Sequence, residues 1–323
     1  MPAFTCAKES HTISAMSTSL PKLIALVGPT ASGKTDLALQ LAKKYNGYVI
    51  SADSRQIYRQ MNIGTGKPAL GAVEMVCDQP SYDINGIRHF MFDMVSPDQT
   101  YTVAEYKDAV YRLISDMRRE YPDNIPFLVG GTGLYVSAVI ENWEIPKVAP
   151  TGLREDLEKR TLDDLVQELQ NRAPDVAKRI DIKNKRRVVR ALEVVLEGKS
   201  FDQARGPRMF DILLLGLDVP REELYTRIDA RVDAMMAAGL LDEVKSLAAK
   251  YDWDVPAMSG IGYRQFRPVL EGKMDLAEAV EKLKQDTRHY AKKQLTWWRK
   301  REGMKCIKNT GDSEDFIEKF LQK

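Results

Sequence analysis

The sequence has no run of eighteen or more apolar residues, so no membrane-spanning helix is expected. It has only three cysteines, Cys6, Cys77 and Cys306. Odd in number and far apart, they argue against a disulfide framework and against a zinc site, and they suit a reducing compartment. There is no internal repeat, and no low-complexity tract beyond the Ser/Thr-rich first twenty residues. That stretch reads as a disordered tail. It carries no arginine and contains Glu9, a poor match to an organelle transit peptide. Nor does the chain carry much charge of one sign, its net charge being +2. These absences leave a cytoplasmic protein, expected as a monomer, whose 323 residues can fill one large or two linked domains.

The small net charge hides an uneven distribution. Residues 178–190 carry seven bases and one acid, for +6, and residues 280–308 carry ten bases and three acids, for +7. The rest of the chain is therefore at −11. Bases concentrated against an acidic remainder suit a face that binds a polyanion. Solvated helix faces are the plainer reading of either segment alone.

The strongest local signal is GPTASGKT at residues 28–35, which matches G-x-x-x-x-G-K-[ST]. An apolar run at 23–27 precedes it, and residues 36–45 follow with helical spacing of leucine and alanine. Strand, loop and helix in that order form a phosphate cradle. Its backbone N–H groups come from Gly28, Pro29, Thr30, Ala31, Ser32 and Gly33, less the proline, which has none. Lys34 is expected to reach the outer phosphate oxygens, and the Thr35 hydroxyl to ligate Mg²⁺.

Further strands are predicted at 47–52, 89–95, 125–131 and 210–219, and helices at 102–120, across 151–200 and at 225–251. Thr102 and Glu105 have capping-box spacing. The fold class expected is α/β, a P-loop NTPase-like parallel sheet with a helical insertion and a helical C-terminal region. The predicted division is a tail (1–20), a core (21–145 and 208–323) and a helical insertion (146–207) that begins at a Pro/Gly-marked linker.

Asp53 and Ser54 follow the second strand, at the end of a parallel sheet where ligands bind. Asp53 reads as a general base, a Mg²⁺ ligand or a helix cap. An acid after an apolar strand, as in nucleotide hydrolases, is hard to find. Asp93 closes an irregular match, and residues 130–133 read Gly-Gly-Thr-Gly where an acid would stand. Hydrolysis is therefore disfavoured, and the glycines suit a ligand passing close to the backbone. Arg227 and Arg231 share a helix face; spacing alone favours surface pairing with Asp229 or Asp233 over stabilisation of a leaving phosphate. The stretch 287–300, TRHYAKKQLTWWRK, interleaves bases with aromatics, as nucleic-acid binders do, and one of Trp297 and Trp298 is expected in the core.

Taken together, GPTASGKT, SADSRQIY, GTGKP, FLVGGTGLY, SGIGYRQ and AKKQLTWWR, in that order over residues 22–301, resemble the tRNA dimethylallyltransferases. The resemblance implies that the loop holds the diphosphate of dimethylallyl diphosphate. It implies transfer of the prenyl group to N6 of the adenosine 3′ to the anticodon (adenosine 37), in tRNAs reading codons that begin with U. Asp53 would be the base, Thr132 a residue of the channel where nucleobase and donor meet, and Arg231 a diphosphate contact. The tRNA contacts it implies are Asp53, Ser54, Arg55, Gln56, Thr132, Arg154, Lys185, Arg186, Arg187, Gly260, Gly262, Tyr263, Arg264, Arg288, Lys292, Lys293 and Gln294, with the insertion gripping the anticodon stem-loop. Gly66 stands where the family often has alanine, a change expected to matter little. No C-terminal Cys/His zinc motif is present, which favours a bacterial-type enzyme. Three rivals share parts of this pattern: a small-molecule kinase, a prenyltransferase acting on free nucleotides, and a non-enzymatic RNA-binding P-loop protein.

Overall fold

The computed structural model describes residues 20–146, 152–202 and 204–323. The expectations for residues 1–19, Cys6 among them, and for most of the Pro/Gly linker lie outside these. Eight strands form one sheet: β1 (Lys22–Val27), β2 (Gly47–Ser51), β3 (Val73–Val76), β4 (Gln79–Ile84), β5 (Ile87–Phe90), β6 (Ile125–Gly130), β7 (Asp211–Leu217) and β8 (Lys305–Ile307). Their order is β3-β4-β5-β2-β6-β1-β7-β8. From β5 to β8 all pairs are parallel; β3 and β4 add an antiparallel edge.

The helices are α1 (Lys34–Lys44), α2 (Val103–Glu120), α3 (Gly133–Ile140), α4 (Leu153–Lys159), α5 (Leu162–Arg172), α6 (Pro174–Arg179) and α7 (Lys185–Leu196). After β7 come α8 (Arg221–Ala237), α9 (Leu240–Ala248), the single turn α10 (Arg267–Leu270), α11 (Leu276–Arg299) and α12 (Thr310–Leu321).

Strand β1 shows why the sheet is central. Leu23, Ala25 and Val27 pack into one apolar cluster with α2 and α3, while Ile24 and Leu26 pack into a second with α1 and α12. A strand buried on both faces has to be apolar throughout, which is how its buried residues 23–27 read. Thr102 caps α2 as expected: its hydroxyl accepts from Glu105 N at 3.2 Å, and Glu105 Oε2 accepts from Thr102 N at 2.7 Å. Helices α4–α7 enclose a separate apolar cluster built on Leu165, Leu169, Val188 and Leu192.

The structure differs from expectation in three places. The helix predicted over 225–251 breaks at Gly239, whose φ of 94° ends α8 and starts α9. The strand predicted at 89–95 is displaced to 87–90, because Met91 and Asp93 take positive φ. The β3–β4 hairpin and β8 were not foreseen: β3 and β8 are short and mostly exposed, and β4, QPSYDI, carries a proline and mixed polar residues rather than an apolar run. Among the described residues, no helix is long and apolar enough to cross a membrane.

Candidate active site

Parallel pairing brings three loops level. Ser51 lies opposite Val129, and Val27 opposite Gly130, so the loops after β1, β2 and β6 leave the same edge of the sheet. Residues 28–35, 52–56 and 131–132 therefore meet at the carboxyl ends of the strands. They are also bonded together. Thr132 N donates to Ala52 O at 3.2 Å, and Ser54 N donates to Thr132 Oγ1 at 3.1 Å. Below them, the buried Tyr106 hydroxyl donates to Ser51 O at 2.8 Å.

Lys34 folds back over its own loop and donates to Pro29 O at 2.5 Å. Burial first, and then the nearby Arg231 charge, push its pKa down to about 7 against the opposing charge of Asp53. Arg231 reaches in from α8 and donates to Gly66 O at 3.2 Å. Burial lowers its pKa too, against the attraction of Asp53 and Asp36. Two desolvated cations beside a phosphate-type loop call for an anion between them. The ion-pair role that spacing suggested for Arg231 is corrected: Asp229 and Asp233 instead bind Arg288 and Lys284 of α11. Arg227 pairs with Glu223 at 2.5 Å and also points an Nη at Ser32 O, 3.4 Å away.

Asp53 Oδ1 accepts the Arg55 N–H at 2.8 Å. With Thr30, Arg231 and Tyr290, Asp53 lines a cavity of about 420 Å³ whose lining also includes the apolar Ile228, Val232, Met235 and Leu283. Two clefts of similar size lie elsewhere, one beside β3–β5 and one on α5, but neither meets the phosphate loop. The Tyr290 hydroxyl engages Thr132 and Gln294; burial and the charge of Asp53 push it up to about 12, so it remains a donor.

Thr35 is exposed in the first turn of α1. Among the described residues, no three His, Cys, Asp or Glu side chains gather to hold a metal ion. An ion there would rest on the Thr35 hydroxyl together with substrate phosphates and water, since Mg²⁺ keeps several waters and does not need an all-protein cage. Asp93 serves elsewhere: it pairs with the buried Lys67 at 2.5 Å and accepts from the Tyr82 hydroxyl at 3.0 Å.

The residues expected at an RNA surface divide in two. Arg186, Arg187, Lys292 and Lys293 are exposed, and none pairs with an acid among the described residues. Ser54 and Arg55 are partly exposed at the cavity, and Arg264 is exposed beside Asp286, 3.0 Å away. Arg154 is held by Glu158 and Glu193, Lys185 donates to Glu158 O, and Arg288 is taken by Asp229. Gln56 turns its amide toward Thr65 O and Gly66 O.

Gly260, Gly262, Tyr263 and Gln294, also expected to contact RNA, are buried. Tyr263 is fully enclosed and donates its hydroxyl to Glu243 at 2.7 Å. Glu243 also accepts the backbone N–H groups of Asn62, Ile63 and Gly64, at 3.0, 2.8 and 3.0 Å, and so shapes the loop that carries Gly66. Nothing in the sequence marked Glu243. Tyr290, one helical turn from Gln294, was open to discovery by spacing alone.

A sequence model of the IPP transferase family matches residues 56–301, and one of isopentenyl transferases matches residues 21–77. A tRNA dimethylallyltransferase of Chloroflexus aggregans is 45% identical over 288 residues, 86% of this chain and 93% of the relative. One from Roseiflexus sp. is 43% identical over 287 residues, covering 86% and 90%. The crystal structure of a tRNA isopentenylpyrophosphate transferase from Bacillus halodurans superposes with a TM-score of 0.68 at 35% identity, covering 93% of this chain and 97% of that one. A eukaryotic dimethylallyltransferase, solved acting on tRNA, gives a TM-score of 0.74 at 28% identity over 93% and 80% of the two chains. With a phosphate loop, a carboxylate and an apolar wall around one cavity, and with kinship along most of its length, the chain belongs to the IPP transferase family of tRNA dimethylallyltransferases.

Proposed function

We propose that this chain transfers the dimethylallyl group of dimethylallyl diphosphate to N6 of adenosine 37 in tRNAs reading codons that begin with U, releasing diphosphate. The observation that carries this reading is one cavity with three chemistries on its walls. It has a carboxylate at Asp53, a cation at Arg231 with Lys34 close enough to feel the charge of both, and a hydrocarbon surface at Ile228, Val232, Met235 and Leu283.

The adenine amine is a poor nucleophile and needs its proton removed as the new bond forms. Asp53 takes that proton while N6 bonds to the allylic carbon and the bond from that carbon to oxygen breaks. The electron pair leaves with the diphosphate. Its growing charge falls on Arg231, on Lys34 once it turns from Pro29 O, and on the loop N–H groups other than that of Thr30, which Gln294 takes. Thr35 would hold Mg²⁺, which supplies further neutralisation of the leaving group. The target base has to leave its stack to reach Asp53, at a cost of a few kcal/mol. Arg186, Arg187, Lys292 and Lys293 would hold the RNA backbone meanwhile, with α4–α7 against the anticodon stem-loop.

The test is mass spectrometry of nucleosides from unmodified tRNA, with consecutive adenosines in its anticodon loop, incubated with the protein, Mg²⁺ and dimethylallyl diphosphate. A prenylated adenosine formed without ATP is expected. Conversion of free AMP, or phosphate transfer from ATP, with no prenylated tRNA would overturn the reading.

A further inference from the structure

Gln294 lies on α11 beside the exposed Lys292 and Lys293, yet its own side chain is only 5% exposed. Its amide joins two loops that are far apart in sequence. Oε1 accepts the Thr30 N–H of the phosphate loop at 2.8 Å, and Nε2 donates to Gly131 O at 2.9 Å. The residue after Gly131 is Thr132, which is bonded to the loop that carries Asp53. The fit is close: a Cβ on Gly131 would overlap Gln294 Nε2 and come within 3.1 Å of Gly28 O. One turn earlier on the same helix face, Tyr290 engages both Thr132 and Gln294.

We infer that Gln294 is a positioning residue that fastens the diphosphate loop to the acceptor loop, so that RNA seated against α11 sharpens the diphosphate site. This rests on the proposed function for the identity of the two ligands. The physical argument is that the bond to Gly131 is buried and the bond to Thr30 partly so, where an unmade partner is costly. A rigid helix then carries the position of its outer lysines to its inner glutamine within one turn. Release of the strut frees the two loops to shift independently, and a misplacement of about 1 Å at reacting atoms can cost about 10²-fold in rate.

The experiment uses the full chain and two variants that break the same contact from opposite sides. Gln294→Leu keeps the bulk and removes both bonds. Gly131→Ala keeps the amide and pushes it away. Calorimetry measures binding of magnesium diphosphate with and without an anticodon stem-loop RNA, and thermal melts confirm that each variant is folded. The wild type is expected to bind diphosphate roughly fivefold or more tighter when RNA is bound, and both variants to bring that ratio close to one. In turnover, kcat should fall by roughly 10-fold or more while KM for RNA changes little. A purely structural glutamine would lower the melting temperature and leave the coupling ratio untouched. An unchanged ratio in a folded variant, or no coupling in a wild type that does form prenylated product, overturns the inference and leaves the activity standing. A wild type that forms no product overturns the activity reading, and the inference with it.

Discussion

The substitution Asp53→Asn separates the chemistry from everything else the site does. The asparagine side chain would retain an oxygen for the Arg55 N–H, which Asp53 accepts at 2.8 Å, so the turn after β2 should keep its shape. What is lost is the group that takes the N6 proton. A positioned general base contributes about 10²–10⁴-fold, or roughly 3–5 kcal/mol of transition-state stabilisation. The lost charge also acts on the neighbours, since Asp53 opposes the fall in pKa of both Lys34 and Arg231. Without it, Lys34 is harder to keep protonated in the free protein, so KM for dimethylallyl diphosphate should rise modestly. RNA affinity should stay within about twofold, because an acid makes no attractive contact with a phosphate backbone. Single-turnover formation of prenylated adenosine, read by mass spectrometry, gives the rate, and filter binding gives the RNA affinity. A rate loss under about tenfold, or an equal loss in RNA affinity, would refute the assignment of Asp53 as the base.

Three further outcomes are expected. Gly66→Ala should not be neutral: Gly66 has φ of 60°, where an L side chain costs roughly 1–2 kcal/mol, and its Cβ would fall on Arg231 Nη2. Several degrees lost in the melting temperature, with a raised KM for dimethylallyl diphosphate, would bear this out, and an unchanged KM would show that Arg231 relocates freely. Glu243→Ala strips an acceptor from three backbone N–H groups and the Tyr263 hydroxyl. Thermal melts should show it destabilised by roughly 3 kcal/mol, and a loss below about 1 kcal/mol would mean that water replaces the carboxylate. The double change R186A/R187A should flatten the salt dependence of RNA binding by about 1–2 in log–log slope, and an unchanged slope would remove that pair from the interface.

Strictly local physics made much of the molecule legible. A strand buried on both faces must be continuously apolar, so β1, β2, β6 and β7 stood out, whereas the short, half-exposed β3 and β8 carried no such pattern. A phosphate loop is one contiguous turn between a strand and a helix, so residues 28–35 announced their chemistry before any contact was known. Asp53 was legible because a carboxylate directly after a parallel strand stands at the ligand edge of the sheet.

The tertiary structure alone decided which bases face solvent. Sequence counts charges but not partners, so Arg154 and Arg288 read like Arg186 and Arg187 until Glu193 and Asp229 were seen across from them. The same limit hid the strut. Thr30 and Gln294 are 264 residues apart, and only folding brings an amide of that reach into a gap where a glycine leaves it room. Short-range patterns record what a residue's neighbours in the chain require. A hydrogen bond between distant loops leaves no such trace, because its partners are chosen by the packing of helices on the sheet.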